Sequence, residues 1–479
     1  MKQFHKTYII IFAVLFLVSN SHAQQAQPLT LEQCIEYALK NSVNMENAII
    51  DQEIAQAKVK ETVGIGLPQI NASANATDNT KLPRFFSRYQ VAQQFNPALN
   101  IPGLKPNDVV AGANFFQLTN SLNASVTANQ LIFNGSYIVG LQASKAFKEL
   151  SFKTSNQTKE QTIEQVVKAF YAALINIERL GLFKNNIARV DSLLKNTTAL
   201  NSNGFAESID VDRVQVSLNN LQTEKSKFER LQLLSIELLK FQMNYPMDQP
   251  LEISGSIADL NINQIILDDY LKDWDMKNRP DYQVLEVNQK LQKLNVKNKY
   301  FSALPVLSAN GTLGYTKQAT VFGDLFTRSP QFQETATGTG PNKLYPFSSY
   351  GFTLSMPIFS GLQHSYQLQQ EKLKLQKVDN SFRQLRSSID LQIKQAVTSF
   401  QNSMQSLEYQ KKNMELSDKV ARVTKIKYQQ GVGSNIEVVD AESSLKESQI
   451  NYYNALYDAL VSKTDLDKAF GKLLPMYSK

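Results

Sequence analysis

Histidine, cysteine and tryptophan are nearly absent from this 479-residue chain, which has three His, one Cys (Cys34) and one Trp (Trp274). A lone cysteine excludes a disulfide framework and a thiolate metal cluster. His5 and His22 fall in an N-terminal export signal, which leaves His364. One histidine gives no His-rich metal site, no Cys–His pair and little scope for Ser–His–Asp catalysis. The composition therefore points away from an enzyme, with no catalytic residue, no cofactor and no metal site expected. Glycine and proline are also sparse, at 19 and 15 residues, so most of the chain is regular structure rather than loop. No apolar run reaches the ~18 residues of a spanning helix, which excludes a helical membrane bundle. The net charge is +7, yet acids and bases are interspersed and no basic run stands out, which argues against a nucleic-acid partner.

What is present begins with residues 1–23, which read as a signal peptide. Lys2 and Lys6 form a basic start, Tyr8–Val18 an apolar stretch too short to span a bilayer, and Ser21-His22-Ala23 a small-residue cleavage site. The rest reads as one unit written twice. Residues 38–70 align without gaps to 275–307: Lys40-Asn41 with Lys277-Asn278, Val59-Lys60 with Val296-Lys297, Leu67-Pro68 with Leu304-Pro305. Further on, Ile132-Phe133-Asn134-Gly135 matches Ile358-Phe359-Ser360-Gly361. Gly204, Ile209, Asp210, Val211 and Leu218 then match Gly431, Ile436, Glu437, Val438 and Leu445. Each match is weak alone; their shared order makes a duplication. The boundaries expected are 24–250 for the first repeat, 251–274 for a connector and 275–479 for the second repeat.

Both copies follow one plan. A helix comes first, opened in copy one by a Thr30–Gln33 capping box, with Leu31, Cys34, Ile35, Ala38 and Leu39 on one stripe. That stripe places Cys34 in a core. The helix should run to Leu67-Pro68, or to Leu304-Pro305 in copy two, because proline cannot continue it. The period then switches from 3.6 to 2. Strand pairs are predicted at about 69–77 and 116–133 in copy one, and at about 306–316 and 347–358 in copy two. Each has one apolar face and one face of uncharged polar residues. Long proline-containing connections, about 78–115 and 317–346, separate the paired strands. After Gly135 and Gly361 the helical period returns. Leu362–Gln429 holds no Pro or Gly, a rod on the order of 100 Å at ~1.5 Å per residue. Within it Ile389, Ile393, Ala396, Val397, Phe400, Met404 and Leu407 form a coiled-coil-like seam. Each rod ends at a glycine turn, with tips near 203–210 and 430–437, and a helix runs back.

Four strands with one apolar face cannot close a membrane barrel alone, since the smallest have ~8. Either helices cover them as a soluble sheet, or several subunits pool them.

The N-terminal LTLEQCIEYALKNS, the proline at each helix-to-strand switch, the MPIFSG step and VGSNIEVVDAESSLKESQINYYNALYDAL (432–460) are together similar to the TolC-type outer-membrane factors. The resemblance covers essentially the whole mature length, and 432–460 is its most specific part. It implies a mainly α fold with a small β part: a duplicated unit whose long coiled-coil-like helices form a periplasmic α-barrel. The four amphipathic strands would contribute to a trimeric twelve-stranded outer-membrane β-barrel. It also implies an equatorial region built from the chain termini and the segment near 245–280. The function implied is an exit duct working with an inner-membrane transporter and a periplasmic adaptor, in contact with outer-membrane lipid. A periplasmic coiled-coil structural or adaptor protein without a pore is the alternative.

By position in the matching motif, Glu437 and Asp440 correspond to acids that ring the family's aperture, with Asp210 the equivalent of Glu437 in copy one. An acid three residues after Ser434 also fits an ordinary helix cap. Arg213 aligns with Asp440, which breaks the symmetry, and Asn435 sits where a family member can carry an Arg. The turn glycines Gly204, Gly431 and Gly433 are the expected adaptor contacts.

Overall fold

The structure is a computed structural model that describes residues 28–114, 117–255, 270, 272, 274–327 and 344–477. The signal peptide expected at 1–23, Phe116, most of the 251–274 connector and 328–343 lie outside the described residues.

The helices are α1 (Leu31–Asn41), α2 (Val43–Gly64), α3 (Tyr89–Phe95), α4 (Gly135–Ser202), α5 (Ser208–Met243), α6 (Pro280–Phe301), α7 (Gln363–Gln429), α8 (Asn435–Ala469) and α9 (Leu473–Tyr477). The strands are β1 (Gln69–Asp78), β2 (Phe85–Arg88), β3 (Val109–Gly112), β4 (Asn120–Phe133), β5 (Val306–Ala319) and β6 (Tyr345–Ser355). Residues cluster into two units, one from the described parts of Met1–Gln56, Ala146–Leu291 and Lys374–Lys479, the other from Ala57–Lys145 and Gln292–Leu373.

In the first unit, α1 starts where its capping box lies. Thr30 Oγ1 accepts from the Gln33 N–H at 3.3 Å, and Gln33 Oε1 accepts from the Thr30 N–H at 2.9 Å. Leu31, Cys34, Ile35 and Ala38 are buried. Burial pushes the Cys34 thiol up to about 12, as expected of a packed, inert sulfur. They join Ile163, Val166, Phe170 and Leu174 of α4, Leu239 and Met243 of α5, and Leu456 and Leu460 of α8 in the largest core. Leu251 and Leu473 belong to the same core, and Leu29 bridges Ile253. Residues near both chain ends and near 251 therefore meet. The seam expected in α7 packs inward, with Ile389, Ala396, Phe400 and Leu407 buried.

One expectation changes here. The first helix does not run unbroken to Leu67-Pro68. Ser42 turns extended (φ −67°, ψ 139°) and its Oγ accepts from the Met45 N–H at 3.4 Å, so it closes α1 and caps α2. A serine competes with the helix for the backbone, and here it wins.

In the second unit, α2 ends at Gly64, whose carbonyl accepts from the Leu67 N–H at 3.0 Å, and Gln69 Nε2 donates to the Gly64 and Leu67 carbonyls, each at 3.0 Å. The strands form one antiparallel sheet in the order β1-β4-β5-β6. Its register keeps each face uniform. Ala72 lies opposite Val126, and Val126 opposite Leu313; Asn71 lies opposite Thr127, and Thr127 opposite Thr312. Ser73 Oγ and Ser125 Oγ are 3.3 Å apart, as are Thr127 Oγ1 and Thr312 Oγ1, while Thr316 Oγ1 donates to Asn123 Oδ1 at 2.7 Å. The apolar face is bare: Ile70 is 69% exposed, Leu313 67% and Tyr350 93%. Lys317 on that face is buried, its Nζ held by the carbonyls of Asp324 and Thr327 at 2.5 and 2.7 Å. β6 stops at Ser355, before the Ile358 expected, as Pro357 follows and Gly361 and Leu362 both take positive φ. The 78–115 connection is more regular than a loop, since β2 pairs with β3. Tyr89 holds it, its hydroxyl donating to the Leu99 carbonyl and accepting from the Ile101 N–H.

Candidate functional site

The two glycine turns carry the residues that the sequence singled out, and the duplication extends to their hydrogen bonds. After α4, the Gly204 N–H donates to the Asn201 carbonyl (2.9 Å) and the Phe205 N–H to the Leu200 carbonyl (2.8 Å). After α7, the Gly431 N–H donates to the Tyr428 carbonyl (3.0 Å) and the Val432 N–H to the Lys427 carbonyl (3.1 Å). Both glycines are left-handed, at φ +80° and +78°, the usual end of a helix that must reverse. Gly433 serves differently. A Cβ there would lie 3.1 Å from the Tyr428 nitrogen and 3.2 Å from Lys427 Cβ, so its role is close approach. Each turn thrusts one apolar side chain outward: Phe205 is 80% exposed and Val432 77%.

The helices that follow start unequally. Ser434 caps α8, its Oγ accepting from the Glu437 N–H at 3.4 Å, whereas Glu207 caps α5 with no side-chain bond. Glu437 and Asp440 are exposed on α8, and neither has an ion pair among the described residues. Asp210 differs. Arg213 Nη1 lies 3.3 Å from its Oδ1 on the same helix. Within the chain, Arg213 therefore meets Asp210 rather than Glu437 or Asp440. Asn435 is buried and links the turns, its Nδ2 donating to the Asp210 carbonyl at 3.2 Å. A cleft of ≈ 860 Å³, lined in part by Phe205, Asp210, Gly431, Gly433 and Asn435, lies between the turns.

Behind them lies a polar network that sequence reasoning missed. Asn186 Nδ2 of α4 donates to Gln449 Oε1 of α8 at 2.9 Å. Arg189 donates from Nη2 to Asn186 Oδ1 (2.6 Å) and from Nε to Glu442 Oε2 (3.1 Å). The Glu442 side chain is 8% exposed, so the pair is shielded from water on its acidic side. Thr197 and Tyr428 hydroxyls are 3.3 Å apart, tying α4 to α7. Beside these bonds Phe183 stacks on Phe228 at 4.9 Å in a core shared by α4, α5 and Val438 of α8. The one local signal was polar residues interrupting an apolar stripe at helical spacing, at Asn186–Arg189 and Glu442–Gln449.

The arrangement is that of a joint with charge displayed at its end. No group of three or more metal-ligating side chains occurs among the described residues, and no helix there is long and apolar enough to cross a membrane. That statement says nothing about a β-barrel.

Comparison with known proteins fits this geometry. The outer membrane efflux protein family matches residues 276–472, the second repeat. Outer membrane protein TolC of Salmonella enteritidis is 21% identical over 495 residues, covering 98% of this chain and 87% of that protein. Among solved structures, the MtrE outer membrane channel of Neisseria gonorrhoeae in its open state superposes with a TM-score of 0.68 at 16% identity, over 93% of this chain and 89% of that one. The CmeC outer membrane channel of Campylobacter jejuni gives 0.67 at 17%, over 92% and 85%.

Proposed function

We propose that the chain is a TolC-type outer membrane efflux protein and that three copies of it form the exit duct of a tripartite export system. Channels of this family span the outer membrane and periplasm, function as trimers and perform no covalent chemistry. The partners proposed are an inner-membrane transporter and a periplasmic adaptor, with the turns at Gly204 and at Gly431–Gly433 offered to the adaptor. Small molecules or proteins are the cargo.

The observation that carries this reading is the four-stranded sheet. Its apolar face is bare and, among the described residues, its outer strands, β1 and β6, have no further strand beside them. In lipid an open edge leaves peptide groups without partners, at several kcal/mol each, so a sheet there must close. Three sheets pool twelve strands, above the ~8 of the smallest membrane barrels. The uncharged polar face then lines water, and the apolar face meets lipid. A coiled-coil protein without a pore leaves that face unexplained.

At the aperture, Glu437 and Asp440 are proposed to ring the axis, three copies of each. Asp210 adds less, because Arg213 offsets its charge. Rings of carboxylates favour cations and bind multivalent ones. In planar bilayers the purified trimer should conduct with cation preference. The double change Glu437→Gln, Asp440→Asn should weaken that preference and relieve block by multivalent cations, in a trimer that still assembles. An assembled protein that never conducts would refute the duct. Conduction with selectivity indifferent to the double change would leave the duct standing and remove these acids from its constriction.

A further inference from the structure

One buried acid in the helical unit has cations around it and a bond to none of them. Glu160 of α4 is 7% exposed, and its Oε1 has no hydrogen-bond partner among the described residues. The nearby cations are committed elsewhere. Arg279, just before α6, gives Nε and Nη2 to the two oxygens of Asp281 (3.0 and 2.7 Å) and Nη1 to the Ala469 carbonyl at the end of α8 (2.9 Å). Nη2 also meets Gln392 Oε1 of α7 at 2.9 Å. Lys468 of α8 is bound to Glu164 Oε2 at 2.6 Å, and Glu164 also holds Lys168, which pairs with Asp465. The charged groups facing Glu160 are thus Glu164 on its own helix, Arg279 and Asp281 at the start of α6, and Lys468 on α8. A guanidinium that fastens α6 to α7 and α8 stands beside an acid that has no claim on it while neutral.

We propose that Glu160 is a proton-operated catch. Neutral, it leaves Arg279 on Asp281 and on the Ala469 carbonyl; ionised, it draws Arg279 toward itself and loosens the junction of α6 with α7 and α8. An ionised carboxylate without a partner is costly to bury, so it must find one. Among the described residues, Arg279 and Lys468 are the cations that act on it, and taking either strips a bond that joins two helices.

Titration should fall in the physiological range. Burial raises the Glu160 carboxyl, Lys468 and Arg279 oppose that, Asp281 and Glu164 add to it, and the result is about 7 against an ordinary 4.5. The folded protein therefore binds the proton more tightly than the unfolded chain. Stability falls as pH rises from the ordinary value through 7, then levels off.

The chain's one tryptophan reports on the spot. Trp274 packs edge-to-face on Phe470 at 5.4 Å, next to Ala469, whose carbonyl Arg279 holds. In the assembled protein, Trp274 emission should shift between about pH 5.5 and 8.5 with its midpoint near 7. Glu160→Gln should abolish the shift and raise the melting temperature at the alkaline end only. Asp281→Asn frees Arg279 for Glu160 and should move the midpoint down by about one unit or more, a tenfold change in proton affinity. It serves as the test if Glu160→Gln fails to assemble. A wild-type protein with no transition, or a transition that persists in Glu160→Gln, overturns the proposal. An unmoved midpoint in Asp281→Asn overturns the competition for Arg279.

Discussion

At the turn of the first repeat, Asp210 is balanced by Arg213 at 3.3 Å on its own helix; at the turn of the second, Glu437 and Asp440 have no ion pair among the described residues. The backbone of the two turns is the same, down to the left-handed glycine and the hydrogen bond across it. Duplication supplied the scaffold twice, and the acid at the matched position is paired with an arginine in one copy and not in the other. The buried side diverged too. Glu442 closes the network with Arg189 and Asn186, while its counterpart Gln215 reaches only Asn219 on the surface.

Substitutions at paired positions break or sharpen this comparison. Proline is the harshest. Gly204→Pro and Gly431→Pro both demand φ near −65° where the turns need about +80°, so each should abolish export in a complementation assay. The trimer should survive, since the strands are untouched, and unequal effects would show that the turns are not equivalent. Next comes Glu442→Ala, which takes from Arg189 the carboxylate that its Nε binds. Breaking a fully buried pair costs ~3–5 kcal/mol, but the Arg189 side chain is 31% exposed, so about 1–3 kcal/mol is expected in thermal melts. Gln215→Ala should stay within ~0.5 kcal/mol. The caps give opposite signs. Ser434→Ala should lose ~0.5–2 kcal/mol at the start of α8, and Glu207→Ser should gain somewhat less at the start of α5.

Much of this was legible before any coordinates. The period-2 runs at 70–76 and 122–128 became β1 and β4 with their apolar residues on one face. The seam through Ile389 and Phe400 became buried. What escaped has a common physical cause. Ser42 breaks the first helix through its own side chain, and serine also occurs inside helices, so its type alone decides nothing. Tyr89 organises the 78–115 connection through the backbone of Leu99 and Ile101, which no periodicity encodes. Asn186 and Gln449 lie 263 residues apart, and their bond follows from how four helices pack. By residue type alone, Glu160 is one more acid on a long helix. Its setting comes from Arg279 and Lys468, which only the fold brings near. The Asp210–Arg213 contrast with Glu437 and Asp440, in comparison, was visible in the internal alignment.

The pooling of strands between copies is the central claim, and joining β1 of one copy to β6 of the next tests it most directly. With Cys34 replaced by Ser, Ser73→Cys on β1 would be paired in turn with Ser349→Cys, Gly351→Cys and Thr353→Cys on β6, all on the uncharged polar face. A short bis-maleimide applied to outer membranes should give, for at least one pairing, covalent products of two and three subunits and nothing larger. Monomer alone in every pairing, from protein that is folded and in the membrane, would show that the sheets do not meet edge to edge and that the shared barrel is wrong.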